Sequence, residues 1–183
     1  VVLGLFALNP IGMTGSYYQM LNHGVSTGAL FLLVGMIYER RHTREISAFG
    51  GITKVMPWFA VAFMIVTLSS VALPGTNGFV GEFLILLGTW QSQPVAAVIG
   101  ALGVIFGAVY MLWMFQRVMF GPVTHAENKD LKDLSLRECL VLAPLIVAIF
   151  VMVSIWGLVR LLGNTFLPGV SNNPLPAPFQ YHP

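Results

Sequence analysis

The sequence predicts an all-α integral membrane fold, a bundle of transmembrane helices that includes one discontinuous helix. Of its 183 residues, 56% are apolar and only 9% are charged, whereas an ordinary soluble domain is about 25% charged. The apolar residues form several long segments, and a membrane-spanning helix needs about 20 residues of this kind. One segment has proline and glycine at its centre, which interrupts a helix. The net charge of +2 is too small to indicate nucleic-acid binding, so the lipid bilayer is the predicted environment.

The apolar segments divide the chain into a transmembrane region, residues 1–163, and an irregular tail rich in proline and asparagine, residues 164–183. The first eight residues are apolar but too few to cross a bilayer. We therefore expect a fragment that opens partway along a helix, which ends at about residue 9. The predicted spans that follow cover residues 16–38, 55–90, 94–119 and 139–162.

The segment 55–90 is longer than one straight helix needs, and Pro74, Gly75 and Gly78 lie in its middle. It is either two spans joined by a tight hairpin or one span made of two half-helices with an unwound joint. An unwound joint exposes backbone polar groups, which are tolerated at membrane depth only beside protein or a water-filled cavity. Transporters use such joints to build ion sites.

The distribution of positive charge favours the single interrupted span. Basic residues collect in the connections 39–54 and 121–137, and cytoplasmic loops gather lysine and arginine. Both loops face the cytoplasm only if the segments 55–90 and 94–119 cross the membrane once each. We therefore predict two cytoplasmic loops and a helix break between them.

Glu82 is the predicted functional residue, because it lies within apolar sequence. The other six of the seven acidic residues lie in the polar connections. A carboxylate at the centre of a membrane helix costs about 2.5–3.5 kcal/mol on insertion scales, and such residues commonly serve proton or ion pathways. Glu82 also lies near the start of the second half-helix, where the positive dipole end stabilises negative charge. The alternative is a structural carboxylate paired with a lysine or arginine that lies outside this sequence.

The span 16–38 carries a polar face that we predict to be the other part of a proton path. His23 is its titratable member, and an unperturbed imidazole pKa near 6.5 suits reversible protonation. The alternative is ordinary hydrogen bonding between helices. The polar residues of this span are Gln19, Asn22, His23, Ser26 and Thr27.

The chain offers no candidate metal or cofactor site. Its one cysteine, Cys139, cannot form an internal disulfide and lacks partners for a metal site. Flavin, iron–sulfur and nucleotide motifs are also absent from the sequence. We therefore expect no cofactor to be bound by this chain.

Four stretches of sequence carry a family resemblance. They are residues 21–35 (LNHGVSTGALFLLVG), 38–44 (YERRHTR), 50–51 (GG) and 73–83 (LPGTNGFVGEF). Together they resemble the subunit M family, chain 4 in mitochondria, among the antiporter-like membrane subunits of proton-pumping NADH:quinone oxidoreductase (complex I). The resemblance covers essentially the whole fragment and is strongest over residues 19–87.

The resemblance implies an antiporter-like fold of fourteen helices, with the end of the tenth and the last four in this fragment. It implies that Glu82 is the essential ionisable residue of a broken helix and that His23 belongs to a central polar axis. It also implies a translocase subunit, most simply in a bacterial plasma membrane, with other membrane-arm subunits as partners. FMN, iron–sulfur clusters and quinone are then expected on the partner subunits.

Two other functions are compatible with the same residues. The first is a subunit of a multisubunit cation/proton antiporter or a membrane-bound hydrogenase, which share this fold. The second is a structural membrane scaffold, in which Glu82 pairs permanently with a basic side chain and contacts no water.

Overall fold

The computed structural model describes residues 1–166, with side chains described to residue 158. Over this range the chain is helical and contains no strand, so the predicted all-α fold is confirmed. Three single 3₁₀ turns lie in the connections, at Ile46–Ala48, Ile52–Lys54 and Ala126–Asn128. The helices are α1 (Val2–Leu5), α2 (Pro10–Arg41), α3 (Pro57–Ser70), α4 (Asn77–Ser92), α5 (Pro94–Met119) and α6 (Leu136–Phe166).

The protein is an integral membrane protein with several apolar helices. Helices α2 and α5 are long and apolar enough to cross a membrane. The same is true of α6 over the range Leu136–Leu158. The half-helices α3 and α4 contain 14 and 16 residues, and each is too short to cross alone. Helix α6 reaches Phe166, so the first three residues of the predicted tail 164–183 are helical. Residues 167–183 of that tail lie outside the described residues.

Two helices begin earlier than their apolar segments, because capping residues set their first turns. Helix α2 begins at Pro10 rather than near residue 16, and the Asn9 side chain accepts a hydrogen bond from Gly12 N at 2.8 Å. Helix α6 begins at Leu136, where Ser135 N donates to Glu138 Oε2 at 2.7 Å and Glu138 N donates to Ser135 Oγ at 3.4 Å. These are a side-chain N-cap and a capping box. Hydropathy locates the apolar part of such a helix but does not detect the cap at which the helix begins.

The chain start contains a short helix followed by a turn. Helix α1 ends at Leu5, and Leu8 has a left-handed backbone with φ 52°. The helix predicted over the first nine residues therefore stops earlier, and the chain turns before α2 begins.

The segment 55–90 is interrupted between Ser70 and Asn77. At the end of α3, Ala72 is left-handed with φ 56°, and Leu73 N donates to Leu68 O at 3.0 Å. This is the geometry of a helix that ends in a left-handed residue. Pro74 follows, and it cannot continue the helix because it lacks an N–H group.

Helices α3 and α4 lie one after the other along α2, in the opposite direction. Ser69 at the end of α3 contacts Ser26 of α2, with 2.6 Å between the hydroxyl oxygens. Farther along, Asn77 contacts Asn22, and a Cβ at Gly88 would lie 2.3 Å from Gly12 N. The contacts move steadily toward the start of α2 as the chain passes from α3 to α4. The two half-helices are therefore one discontinuous helix and do not form a hairpin.

An apolar core lies between α2, α3, α5 and α6, at the end of the bundle that holds the two long loops. Its buried members include Leu33, Phe59, Phe63, Met119 and Leu142. Many large apolar side chains of α5 and α6 are exposed, as expected for helices that face lipid or other membrane helices.

The connection between α5 and α6 fixes the start of the discontinuous helix. Arg40, at the end of α2, donates to both carboxylate oxygens of Glu138 at 2.7 and 2.8 Å and to Asp133 O at 3.2 Å. The Asp133 carboxylate accepts hydrogen bonds from Trp58 N at 2.9 Å and Phe59 N at 3.0 Å. It therefore caps the N-terminus of α3 and ties it to α2 and α6.

Candidate functional site

Glu82 lies in the second turn of α4 and is half-buried against α2. Gln19 of α2 donates a hydrogen bond from Nε2 to Glu82 Oε1 at 3.4 Å. Among residues 1–158, the ion pairs of lysine and arginine are Arg40–Glu138 and Arg41–Glu127, and neither involves Glu82. The described residues therefore do not supply the permanent basic partner that a purely structural carboxylate would have.

His23 lies one helical turn after Gln19 on α2, and its side chain is exposed. Thr27 Oγ1 lies 3.2 Å from His23 Nδ1, and the donor in this pair depends on the tautomer of the ring. The same hydroxyl lies 3.4 Å from His23 Nε2, so Thr27 contacts both ring nitrogens.

The predicted polar residues come together around one cavity of about 190 Å³. A site of this size has room for several water molecules. The cavity lies where α2, the helix break and α5 meet, and Tyr110 of α5 is part of its lining. The predicted residues in its lining are Gln19, Asn22, His23, Ser26, Thr27, Gly78 and Glu82.

A second cavity of about 470 Å³ adjoins the first. Both share Gln19, His23, Ser70, Glu82 and Tyr110 in their linings. The second extends along the glycine-containing face of α5. Glu82 and His23 therefore lie where the two cavities adjoin, beside the discontinuous helix.

Ser69 and Asn77, which sequence reasoning did not select, form the buried centre of the helix break. Ser69 Oγ donates to Asn77 Oδ1 at 2.6 Å, and Ser26 Oγ lies 2.6 Å from Ser69 Oγ. Asn77 Nδ2 donates to Ser26 Oγ at 3.4 Å. These three side chains, at 1%, 0% and 4% exposure for Ser69, Asn77 and Ser26, close a ring of hydrogen bonds.

Asn77 looks like an ordinary turn residue in the sequence Pro-Gly-Thr-Asn-Gly. Asn and Gly are typical of turns, so the local sequence favours an exposed turn over a buried position for Asn77. The one available signal is a polar residue at the start of an apolar helix. Ser69 offered a similar one, as a hydroxyl at the end of an apolar half-helix.

Gly78 belongs to the first turn of α4 rather than to the unwound joint. A Cβ there would lie 2.5 Å from Ser69 O, so glycine lets the two half-helices approach each other. Pro74 and Gly75 lie in the joint itself and are exposed, and Gly75 has φ 95°. Of the three residues predicted to break the helix, two therefore form the gap and the third packs against it.

The described residues contain no group of three or more histidine, cysteine, aspartate or glutamate side chains placed to hold a metal ion. The chemistry available in the cavities is that of one carboxyl group, one imidazole, several hydroxyls and several amides. Such a set can bind water and exchange protons.

The membrane family described as NADH:quinone oxidoreductase/Mrp antiporter matches residues 1–109. The chain belongs to this family. The resemblance expected from the sequence motifs is thereby confirmed, and the matched region contains the discontinuous helix, Glu82 and His23.

Known members of the family are longer than this chain. NADH-quinone oxidoreductase subunit M from Rickettsia typhi is 51% identical over 149 residues, which cover 81% of this chain and 30% of that protein. Respiratory complex I from Thermus thermophilus with bound NADH contains a chain of similar structure, with a TM-score of 0.75 and 38% identity. That match covers 82% of this chain and 31% of the other. The chain thus spans about a third of the length of these relatives.

The archaeal membrane-bound sulfane sulfur reductase has the same fold. Its matching chain gives a TM-score of 0.75 at 24% identity, covering 82% of this chain and 25% of the other. This likeness concerns the fold alone.

Proposed function

We propose that this chain is part of a proton-translocating membrane subunit of an NADH:quinone oxidoreductase. Glu82 and His23 would exchange protons along a polar path beside the discontinuous helix. The observation that carries the proposal is that a carboxyl group and an imidazole line the same cavity, in a region of otherwise apolar helices.

Water in the cavity would connect the two titratable groups. Asn22 Oδ1 and Ser70 Oγ are buried without a hydrogen-bond partner among the described residues, and both residues line the cavity. Buried polar atoms of this kind are usually satisfied by protein groups or ordered water. Both residues contribute to the polar lining of the cavity. Once this cavity is hydrated, a proton leaving His23 could be taken up by Glu82 and then released.

The driving redox reaction would take place on partner subunits. We propose that FMN, iron–sulfur clusters and quinone are bound there and that this chain contacts other membrane-arm subunits. The relatives at about 50% identity are NADH-quinone oxidoreductase subunits M, which favours this assignment over a cation/proton antiporter or hydrogenase subunit of the same fold.

We further propose a bacterial plasma membrane, with the loops 39–54 and 121–137 on its cytoplasmic side. The two loops touch each other, which supports placing them on one side. Gly51 N donates to Phe120 O at 3.0 Å, and Asn128 Nδ2 donates to Ala48 O at 3.0 Å. Their arginine and lysine content favours the cytoplasmic side.

The test is the Glu82→Gln variant of the intact membrane complex that contains this chain, reconstituted in vesicles. Glutamine keeps the size of the side chain but cannot exchange a proton, so proton pumping and coupled quinone reduction should fall several-fold. Glu45→Gln is the matched control, because Glu45 is exposed in a loop and should leave both rates unchanged. Normal pumping by a fully assembled Glu82→Gln complex would refute the proposal.

A further inference from the structure

The amide groups beside Glu82 are held in one orientation by main-chain carbonyl oxygens. Asn22 Nδ2 donates to Asn77 O at 2.7 Å, and Asn77 Nδ2 donates to Asn22 O at 3.4 Å. A carbonyl oxygen can only accept, so each asparagine must turn its nitrogen toward the other residue's backbone. Both residues are buried, at 1% and 0% exposure, and a buried mismatch would be costly.

The orientation of Asn22 determines the orientation of Gln19. Asn22 Nδ2 also donates to Gln19 Oε1 at 3.2 Å, so the Gln19 oxygen must face Asn22. The Gln19 nitrogen then faces Glu82, where Nε2 lies 3.4 Å from Oε1. Reversing the Gln19 amide would bring two nitrogen donors together at Asn22. Reversing Asn22 as well would bring two oxygen acceptors together at Asn77.

Close packing keeps the Gln19 side chain in this place. A Cβ added to Gly81, which precedes Glu82, would lie 2.2 Å from Gln19 Oε1 and 3.0 Å from Gln19 Cβ. The glycine therefore lets the glutamine lie directly against α4. This close approach brings the Gln19 amide beside the carboxyl group that follows Gly81.

From this chain of contacts we infer that Gln19 is a positioning residue. It keeps Glu82 Oε1 a hydrogen-bond acceptor and leaves Oε2 as the oxygen that takes up and releases the proton. The inference rests on the proposed role of Glu82 in proton transfer. It adds that the Asn77 carbonyl at the start of α4 sets the orientation of the Gln19 amide through Asn22. The position of the helix break therefore determines that orientation.

The inference can be tested by infrared difference spectroscopy on the intact complex, between acidic and alkaline samples. The C=O stretching band of protonated Glu82 is the band that Glu82→Gln removes. A donor on a carbonyl oxygen lowers its stretching frequency, so Gln19→Met should move this band to higher wavenumber. Methionine keeps the length of the side chain and removes the donor. Gln116→Met is the matched control, since Gln116 is exposed on α5, and it should leave the band in place.

A second variant keeps the amide but displaces it. Gly81→Ala should shift the band in the same direction. This variant tests the positioning role of Gln19 if the Gln19→Met complex does not assemble. A band at the parental position in either assembled variant would overturn the inference.

The two proposals can fail separately. If Glu82→Gln removes the band but pumping remains normal, the proton-transfer role fails. If Glu82→Gln abolishes pumping but an assembled variant at the Gln19 contact leaves the band at its parental position, the positioning role fails.

Discussion

Asn22 and Asn77 each donate an amide hydrogen to the main-chain carbonyl oxygen of the other, at 2.7 and 3.4 Å. One lies in the middle of α2 and the other is the first residue of α4. The pair joins α2 to the first turn of α4 directly after the unwound joint. It also joins the joint to the polar face that reaches Glu82 through Gln19.

Asn77→Ala should destabilise the joint without changing the apolar surface of the protein. It removes the side-chain bonds to Ser69, Ser26 and the Asn22 backbone, and leaving buried partners unsatisfied costs about 1–3 kcal/mol. We expect a lower melting temperature of the purified complex, measured by scanning calorimetry or dye-based unfolding. Thr14→Ala, at an exposed position of α2, serves as the control. Equal stability of the two variants would show that the ring contributes little.

Two glycine-to-alanine changes should differ in their effect on thermal stability. No heavy atom lies within 4 Å of a Cβ built at Gly75 or at Gly35, so neither change causes a clash. Gly75 has φ 95°, a conformation that alanine adopts only with strain of about 1–2 kcal/mol. Gly35 lies inside α2, where alanine is favoured by about 0.5–1 kcal/mol.

We therefore expect Gly75→Ala to lower thermal stability and Gly35→Ala to leave it unchanged or raise it. The measurement is the unfolding midpoint of each variant under identical detergent conditions. A stabilising effect of Gly75→Ala would contradict the left-handed backbone at the joint.

Asp133→Ala should loosen the start of the discontinuous helix. The Asp133 carboxylate accepts from Trp58 N and Phe59 N at 2.9 and 3.0 Å, and loss of an N-cap costs about 0.5–2 kcal/mol. Hydrogen–deuterium exchange should increase in the first turn of α3, with a smaller change elsewhere. Asp130→Ala removes an exposed carboxylate of the same loop and should leave that exchange unchanged. Unaltered protection of α3 in Asp133→Ala would argue against the cap.

Much of the candidate site could be read from local sequence. Glu82 was selected because a carboxyl group in apolar sequence is rare, and His23 because it lies among polar residues at helical spacing. The structure places both at one cavity. Their roles in proton transfer stay predictions until pumping is measured.

The remaining features depended on partners far away in the chain. Asn22 and Asn77 are 55 positions apart, and no periodicity within either helix indicates that they pair. The same is true of Ser26 and Ser69, which are 43 positions apart. The early start of α2 was missed for another reason, since a side-chain cap rather than hydropathy sets it.

The sequence by itself determined that this protein is a helical membrane bundle, because apolar segments in lipid must satisfy their backbone hydrogen bonds internally. It also located the interruption, because Pro74 and Gly75 cannot sustain a helix. Only the tertiary structure decided that the two half-helices run along α2 as one discontinuous helix. It also decided which side chains pair beside the joint, because such hydrogen bonds depend on distances between helices rather than on neighbours in sequence.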